Sequence, residues 1–361
     1  MTTPAALLDP WFLDHLVCPV DHGALQLVAG AFECVAGHRF PIVDGVPVMV
    51  VESVPPTMAG GDQSLARARG IPGDKRAPGL YLESLGISED EKLGVIDLAR
   101  RGSSIDAVVA YLVAATNGLM YRHLIGTLDR YPIPDLPLPS GHGGQLLDVG
   151  CSWGRWSLAG HAKGYDVVGI DPSLGAVMAA KRVARQLGVP NRYLVADARY
   201  LPFPPRLFDV TYSYSVLQHL STADAAQAVR EMGRVLKPGG IAKVQMPTRY
   251  GLRCLYHQAR RRFREATGFE VRYWTQSDLH RVFTAAVGAT RFEVDCYFGI
   301  GLQQSDESIM PPALKRILWA SNRLKAASRF LPGLHRLADS VYVEAVRTAA
   351  AETNLGADGA R

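Results

Sequence analysis

The period of the apolar residues changes along this chain, and the changes mark its elements. Leu146, Leu147 and Val149 form a short apolar run ending at Gly150, which reads as a buried strand, and residues 155–163 read as the helix after it. A second apolar run ends at Asp171 and a third, over residues 193–196, at Asp197; further strands are predicted over 208–213, 241–247, 291–297 and 340–347. Upstream, Ser88-Glu-Asp-Glu91 has the form of a capping box and opens a helix to about Arg101. Ile105, Val108, Val109, Leu112 and Val113 recur at helical spacing, and a third helix is predicted over 118–128. Ser277 is the predicted cap of a later helix, and residues 313–338 read as another. This order predicts an α/β, doubly wound, mostly parallel seven-stranded sheet with a helical lid before it.

The turn after the first of these strands carries the chemistry. A ligand lying across the carboxyl end of a strand must approach backbone closely, which glycine allows, and the helix start offers it free N–H groups. Asp171 follows about twenty residues on, where a carboxylate can take both hydroxyls of a ribose. The spacing Gly150-x-x-x-Gly154 departs from the Gly-x-Gly-x-x-Gly of a pyrophosphate site, so a dinucleotide is disfavoured.

These residues resemble the class I S-adenosylmethionine (SAM) dependent methyltransferases, in particular the type 11 and ubiquinone/menaquinone biosynthesis group. Asp148, Gly150 and Gly154 match their first motif, with Ser152 in place of its central glycine. Phe208-Asp-Val-Thr-Tyr-Ser213, the loop Tyr214 to His219, and Glu231-Met-Gly-Arg-Val-Leu-Lys-Pro-Gly-Gly240 follow in the family's order. The resemblance implies a Rossmann-like fold with SAM as cofactor. It implies that Asp148 and Gly154 belong to the cofactor site, that Gly150, Cys151, Ser152 and Trp153 line the methionine end, that Asp171 and Pro172 meet the ribose, that Asp197 and Ala198 meet the adenine, and that Ser215 borders the donor.

The first fifty residues read as a separate small β unit. Cys18-Pro-Val-Asp21, Cys34-Val-Ala-Gly-His38 and the closing Pro41-Ile-Val-Asp-Gly-Val-Pro47 resemble the zinc-ribbon-like activator subunit of tRNA and protein methyltransferases. Cys18, Asp21, Cys34 and His38 offer a tetrahedral set of thiolate, carboxylate and imidazole for zinc. The competing reading is a ribbon that has lost its metal and rests on Leu13, Leu16, Leu25, Leu27, Phe32, Phe40 and Ile42. Asp44-Gly45 reads as a hairpin turn.

Composition narrows the class. At 361 residues and 48% hydrophobic content, the chain has room for two or three domains, and its formal charge of +5 is mild for a dedicated nucleic-acid binder. There is no run of eighteen apolar residues and no export signature at the start, and the five cysteines are scattered, so a reducing cytoplasm is the expected location. The expected organisation is a zinc-ribbon-like module (1–51), a linker without its own core (52–80), a helical lid and proline-rich strap (81–140), a methyltransferase domain (141–347) with insertions at 248–273 and 301–339, and a disordered tail (348–361).

Methyl transfer asks mainly for placement of the acceptor, with a base where the acceptor is a hydroxyl or amine. His219, past the fourth strand, has a suitable unperturbed pKa, and Tyr214 and Gln218 share its loop. Tyr121 and Arg122 can reach the methionine carboxylate from the lid; the alternative is that Tyr121 packs and Arg122 is solvated. On the acceptor side Arg249, Tyr250 and Arg253 open an arginine-rich insertion able to clamp an anion, or simply to face solvent. The basic helix near 313–338 either lies on an anionic membrane or packs as a second lid. The reading is a SAM-dependent methyltransferase acting on a hydroxyl (or amine or carbon) of a small-molecule acceptor such as a sugar, lipid-linked or secondary metabolite. An RNA methyltransferase is the alternative among enzymes, and a catalytically weak scaffold docking a partner through the ribbon is the alternative outside them.

Overall fold

The computed structural model describes residues 8–348 apart from 118, 300 and 332. Its amino-terminal part comprises α1 (Trp11–His15), a meander of β1 (Leu25–Val28), β2 (Ala31–Cys34), β3 (Arg39–Val43) and β4 (Val46–Met49), then α2 (Ala59–Ala68), α3 (Glu89–Arg101) and α4 (Ala107–Asn117). The first half of the sheet follows as β5 (Gln145–Val149), α5 (Arg155–Ala162), β6 (Asp166–Asp171), α6 (Leu174–Gln186) and β7 (Arg192–Ala196). The second half is β8 (Phe208–Tyr214), α7 (Thr222–Val235), β9 (Leu236–Pro247), α8 (Leu252–Arg260), α9 (Gln276–Ala286), β10 (Gly288–Cys296), α10 (Pro312–Ala327) and β11 (Ser340–Arg347).

The doubly wound part runs β7-β6-β5-β8-β9-β11-β10, with β11 alone antiparallel to its neighbours β9 and β10. The chain leaves β5 toward β6 and β7, then returns to β8 on the other side, so a crevice opens at the carboxyl ends of β5 and β8. The helices begin where side chains satisfy their free amides: Ser88 makes the reciprocal capping box with Glu91, and Ser173, Ser221 and Thr275 accept from Ala176, Asp224 and Asp278. The cap of α9 is therefore Thr275, two residues before the expected Ser277.

Several boundaries differ from expectation for identifiable reasons. The amino-terminal meander is not a separate unit. Its β4 pairs in parallel with β7 (Val48 with Val195, Met49 with Ala196), which makes one sheet of eleven strands. Phe12, Leu16, Phe32, Phe40 and Ile42 share a core with Leu201 and Phe203, while Leu13 and Leu27, expected inside, are exposed. The segment expected to be a bare linker contains α2, held because the buried Ser64 hydroxyl donates to Pro172 O (2.7 Å) and accepts from Leu174 N (2.8 Å). The third lid helix is only a 3-10 helix, Leu119–Leu124. The long helix expected over 313–338 stops at Ala327 and a 3-10 turn, Leu334–Leu337, follows. Of the expected tail, Thr348 is described, its N–H donating to Val287 O (3.1 Å); 349–361 lie outside the described residues, as do residues 1–7 of the amino-terminal module.

Candidate functional site

The turn after β5 is stitched to the end of β6. Gly150 N and Cys151 N both donate to Ile170 O at 2.8 Å. Ser152 N donates to one oxygen of Asp171 (3.0 Å) and Ser173 N to the other (2.9 Å). Gly150 and Gly154 hold φ of +78° and +85°, and Ser152 itself sits at +49°. A Cβ on Gly150 would fall 2.3 Å from Val216 Cγ2 at the tip of β8, so the two strand ends meet where only glycine fits. Burial pushes the Asp171 carboxyl up to about 6, against the two amide hydrogen bonds that lower it. Each of its oxygens keeps a lone pair for a further donor.

Asp148, two residues before Gly150 on β5 and expected in the cofactor site, is buried with its carboxylate accepting from Ser157 Oγ (2.6 Å); burial raises its carboxyl to about 7. Cys151 and Trp153, expected to line the donor, have buried side chains. Cys151 lies in the core with Tyr193 and Leu174, and Trp153 lies among Leu158, Val183 and the lid residues of α3 and α4. Only their backbone is left to border a ligand. Asp197, expected to bond the adenine, has its carboxylate gripped by Arg199 (Nε to Oδ1 3.1 Å, Nη2 to Oδ2 2.8 Å), which also reaches Asp224 (2.9 Å) and Pro55 O (2.7 Å). A hollow of ≈ 260 Å³ opens between segment 50–56 and α2, lined by Val51, Ser53, Pro56, Gly61 and Leu65.

A second polar group escaped the sequence reading. Arg155, the first residue of α5, pairs with Asp306 from the insertion before α10, and both are almost fully buried. Tyr121 does not lie free for a carboxylate: it is wholly buried, its hydroxyl donates to Asp306, and Arg155 Nη2 donates to it (3.3 Å). Arg122 is exposed. Arg155 Nε is buried without an acceptor among the described residues. The adjacency of Arg155 to Gly154 was the one available sequence signal; nothing local marked Asp306, 151 residues away.

On the acceptor side, Tyr214 packs tilted against Trp156 (4.5 Å between ring centroids), accepts from Gln303 Nε2 (2.9 Å) and donates to Asp295 Oδ2 (3.4 Å); burial raises its phenol well above the usual range. It is a proton donor at neutral pH, not a base. His219 has both ring nitrogens engaged. Nδ1 donates to Phe269 O (2.8 Å), Nε2 accepts from Gln218 Nε2 (3.1 Å), and the ring lies flat on Phe269 at 3.9 Å. Burial lowers its pKa, so it is neutral. Gln218 also donates to Ser215 Oγ (2.7 Å). Part of the arginine cluster is internal stitching: Arg272 reaches His219 O (2.8 Å), Arg261 reaches Val271 O (2.9 Å), and Arg264 pairs with Glu270. Arg249 and Tyr250 are exposed, and Arg253 is half-buried with its N–H on Asp339 (2.7 Å).

In the amino-terminal meander, Cys18, Asp21, Cys34 and His38 each place one ligand atom within 4.8 Å of the others. Cys34 Sγ lies 3.3 Å from His38 Nδ1 and 3.4 Å from Asp21 Oδ2, Cys18 Sγ lies 3.5 Å from His38 Nδ1, and His38 Nδ1 lies 3.2 Å from Asp21 Oδ2. Burial raises the Cys18 thiol to about 12.

Comparison with known proteins supplies the class. Residues 146–240 match the methyltransferase domain family. The ubiquinone biosynthesis O-methyltransferase of Azorhizobium caulinodans is 33% identical over 97 residues, 27% of this chain and 38% of that protein. The 27-O-demethylrifamycin SV methyltransferase of Amycolatopsis mediterranei is 36% identical over 106 residues, 28% of this chain and 38% of that protein. The structure of the YcgJ protein of Bacillus subtilis aligns with 59% of this chain and 94% of its own, at 20% identity and a TM-score of 0.41. The chain thus spans well under half the length of these two curated relatives. Residues 146–240 are therefore similar to a methyltransferase domain, over the part of the sheet that carries the β5 turn and Asp171.

Proposed function

We propose that the chain moves the methyl group of SAM to a hydroxyl of a small-molecule acceptor, of the sugar, lipid-linked or secondary-metabolite kind. The observation that carries this reading is Asp171, a half-buried carboxylate tied to the Ser152 amide at the mouth of the crevice. The residues present fit the donor. Gly150 to Gly154 bring backbone to the crevice in a turn too close to Val216 for any side chain at position 150, Asp171 and Pro172 follow β6 where a ribose would lie, and Asp197 and Ala198 follow β7 on the side of the adenine. Ser215, on the β8 side, closes the crevice. Two curated relatives act on oxygen by name, which supports a hydroxyl acceptor.

SAM supplies a sulfonium already activated for displacement, so the protein's part is placement. Arg155, Tyr121 and Asp306 fix the start of α5 and the insertion wall, and Arg155 is the cation nearest in sequence to the methionine end. Gln218, Arg249, Tyr250 and Arg253 border the acceptor side. His219 takes an acceptor proton through Nε2 only when Gln218 releases that atom, and Tyr214, whose hydroxyl donates to Asp295, borders the acceptor side.

The four residues Cys18, Asp21, Cys34 and His38 also suit zinc. Ligands about 2.0–2.3 Å from a tetrahedral ion stand roughly 3.3–3.8 Å apart, close to the separations seen here. The ion's role would be structural, since the set is closed. Metal analysis of the purified protein, with Cys34→Ser as control, tests it.

Calorimetric titration of the folded protein with SAM and with its demethylated product tests the main reading. We expect binding that Asp171→Ala abolishes. Absence of heat with both, in protein shown to be folded, overturns it.

A further inference from the structure

The insertions on the acceptor side present aromatic and aliphatic side chains to solvent, among cations. Along α10, Arg316, Trp319, Arg323 and, just past its end, Phe330 recur at helical spacing on the exposed face, whereas Leu318 and Ser321 are buried. Trp319 is 62% and Phe330 83% exposed, and the Arg323 guanidinium lies over the Trp319 ring at 5.3 Å. No acidic residue occurs between Glu307 and Asp339, a span that includes Lys315, Lys325, Arg329 and Arg336 as well.

The second insertion repeats the pattern. On α8, Leu252, Leu255 and Tyr256 are exposed with Arg260 over the Tyr256 ring (5.9 Å), and Phe263 after it is 67% exposed. One residue links α8 to the segment that follows α10. Asp339, which follows the 3-10 turn after α10, accepts the N–H groups of Arg253 and Cys254 at the start of α8 (2.7 and 3.0 Å). α8 therefore starts beside the carboxyl end of β9, and Ser321 of α10, whose hydroxyl accepts from Tyr297 N just past β10 (2.9 Å), puts that helix at the same end of the sheet, where the acceptor would enter.

We infer that this surface rests on an anionic lipid bilayer, through which an amphiphilic acceptor reaches the crevice. The acceptor's route rests on the methyltransferase reading; the docking itself does not. Aromatic and leucine side chains standing out among arginines match an interfacial helix, whose apolar residues enter the acyl boundary while the cations meet anionic headgroups. Leu252, Leu255, Leu331 and Leu337, all exposed, would find nothing to pair with on a nucleic acid. No helix among the described residues is long and apolar enough to cross a membrane, so the contact is peripheral.

The test is co-sedimentation of the full chain with phosphatidylcholine vesicles, with and without phosphatidylglycerol, beside calorimetry with the demethylated product of SAM. We expect at least about tenfold stronger partition onto the anionic vesicles, weakened by added salt. Trp319→Ser with Phe330→Ser, and separately Arg316→Glu with Arg323→Glu, should each lower it about tenfold and leave calorimetric binding unchanged. Failure to bind either vesicle, unchanged partition in both variants, salt-sensitive RNA binding without vesicle binding, or a dimer dissolved by the same substitutions overturns the inference. Loss of the calorimetric signal in the unaltered chain, with vesicle binding intact, instead overturns the methyltransferase reading.

Discussion

Asp171 accepts the backbone N–H of Ser152 at 3.0 Å, so the conformation of the turn after β5 and the position of the carboxylate at the end of β6 are set together. Ser152 holds φ of +49°, where an L-residue costs about 1–2 kcal/mol, more than the roughly 0.5–1 kcal/mol of backbone entropy that glycine adds to the unfolded chain. Ser152→Gly should therefore stabilise the protein by up to about 1 kcal/mol in chemical denaturation and leave SAM affinity unchanged. Ser152→Pro removes the N–H and forbids the dihedral, and should weaken SAM binding at least about tenfold. Equal affinity in the proline variant would sever the link between turn and carboxylate.

Asp148 gives a pH dependence of unusual sign. Its folded carboxyl is raised to about 7 against an unfolded value of 3.8, so the native state binds the extra proton between these limits. Stability contributed by this group is then highest at low pH and falls as pH rises from about 4 to 7, by an amount on the order of 4 kcal/mol at most. Asp171, raised to about 6, acts in the same direction. We expect Asp148→Asn, which keeps the contact to Ser157, to be more stable than the parent at pH 8 and nearly equal at pH 4. A parallel pair of stability curves, measured by urea denaturation across that range, would contradict the assignment.

The pair Arg155–Asp306 ties the start of α5 to the insertion before α10 with both charges buried. Removing one partner strands the other, and Asp306→Ala should cost about 3–5 kcal/mol. Arg155→Met with Asp306→Leu removes both charges and should recover much of that loss in the same assay. If Asp306→Ala costs less than about 1 kcal/mol, the pair is not buried in solution.

How much of this was legible follows the range of each signal. The β5 turn, the Ser88 capping box and the β11 strand are local patterns, and the residues that form them sit next to one another in the chain. The grouping of Cys18, Asp21, Cys34 and His38 was legible for the same reason, because a hairpin brings two short spacings together. What composition hid was long-range. Segment 52–80 looked coreless because the polar Ser64 anchors it to Pro172 and Leu174, and no hydrophobic period records such a bond. The amino-terminal meander's attachment to β7 depends on backbone pairing, which any sequence of strand propensity allows. Asp306 reads as one more surface acid until folding buries it beside Arg155.

His219 separates a base from an anchor. Its Nδ1–H holds Phe269 O, its ring covers the Phe269 ring, and Arg272 holds both the Gln218 and His219 carbonyls, so the residue ties segment 266–273 to the end of β8. Burial already keeps it neutral, and its free lone pair is occupied by Gln218. If anchoring is its work, His219→Ala should raise the acceptor KM several-fold and lower kcat less than about tenfold, with the pH profile unshifted. His219→Asn, which can still donate to Phe269 O, should recover most of the KM. A general base would instead show a kcat loss of about 10²–10⁴ in both variants and disappearance of the acid limb of the profile. Steady-state kinetics with any acceptor that supports turnover, compared across the two substitutions between pH 5 and 9, decides between them. The Gln218→Ala variant adds an independent check: it frees Nε2, so turnover should rise if proton abstraction limits the rate and fall if the ring only holds the wall in place.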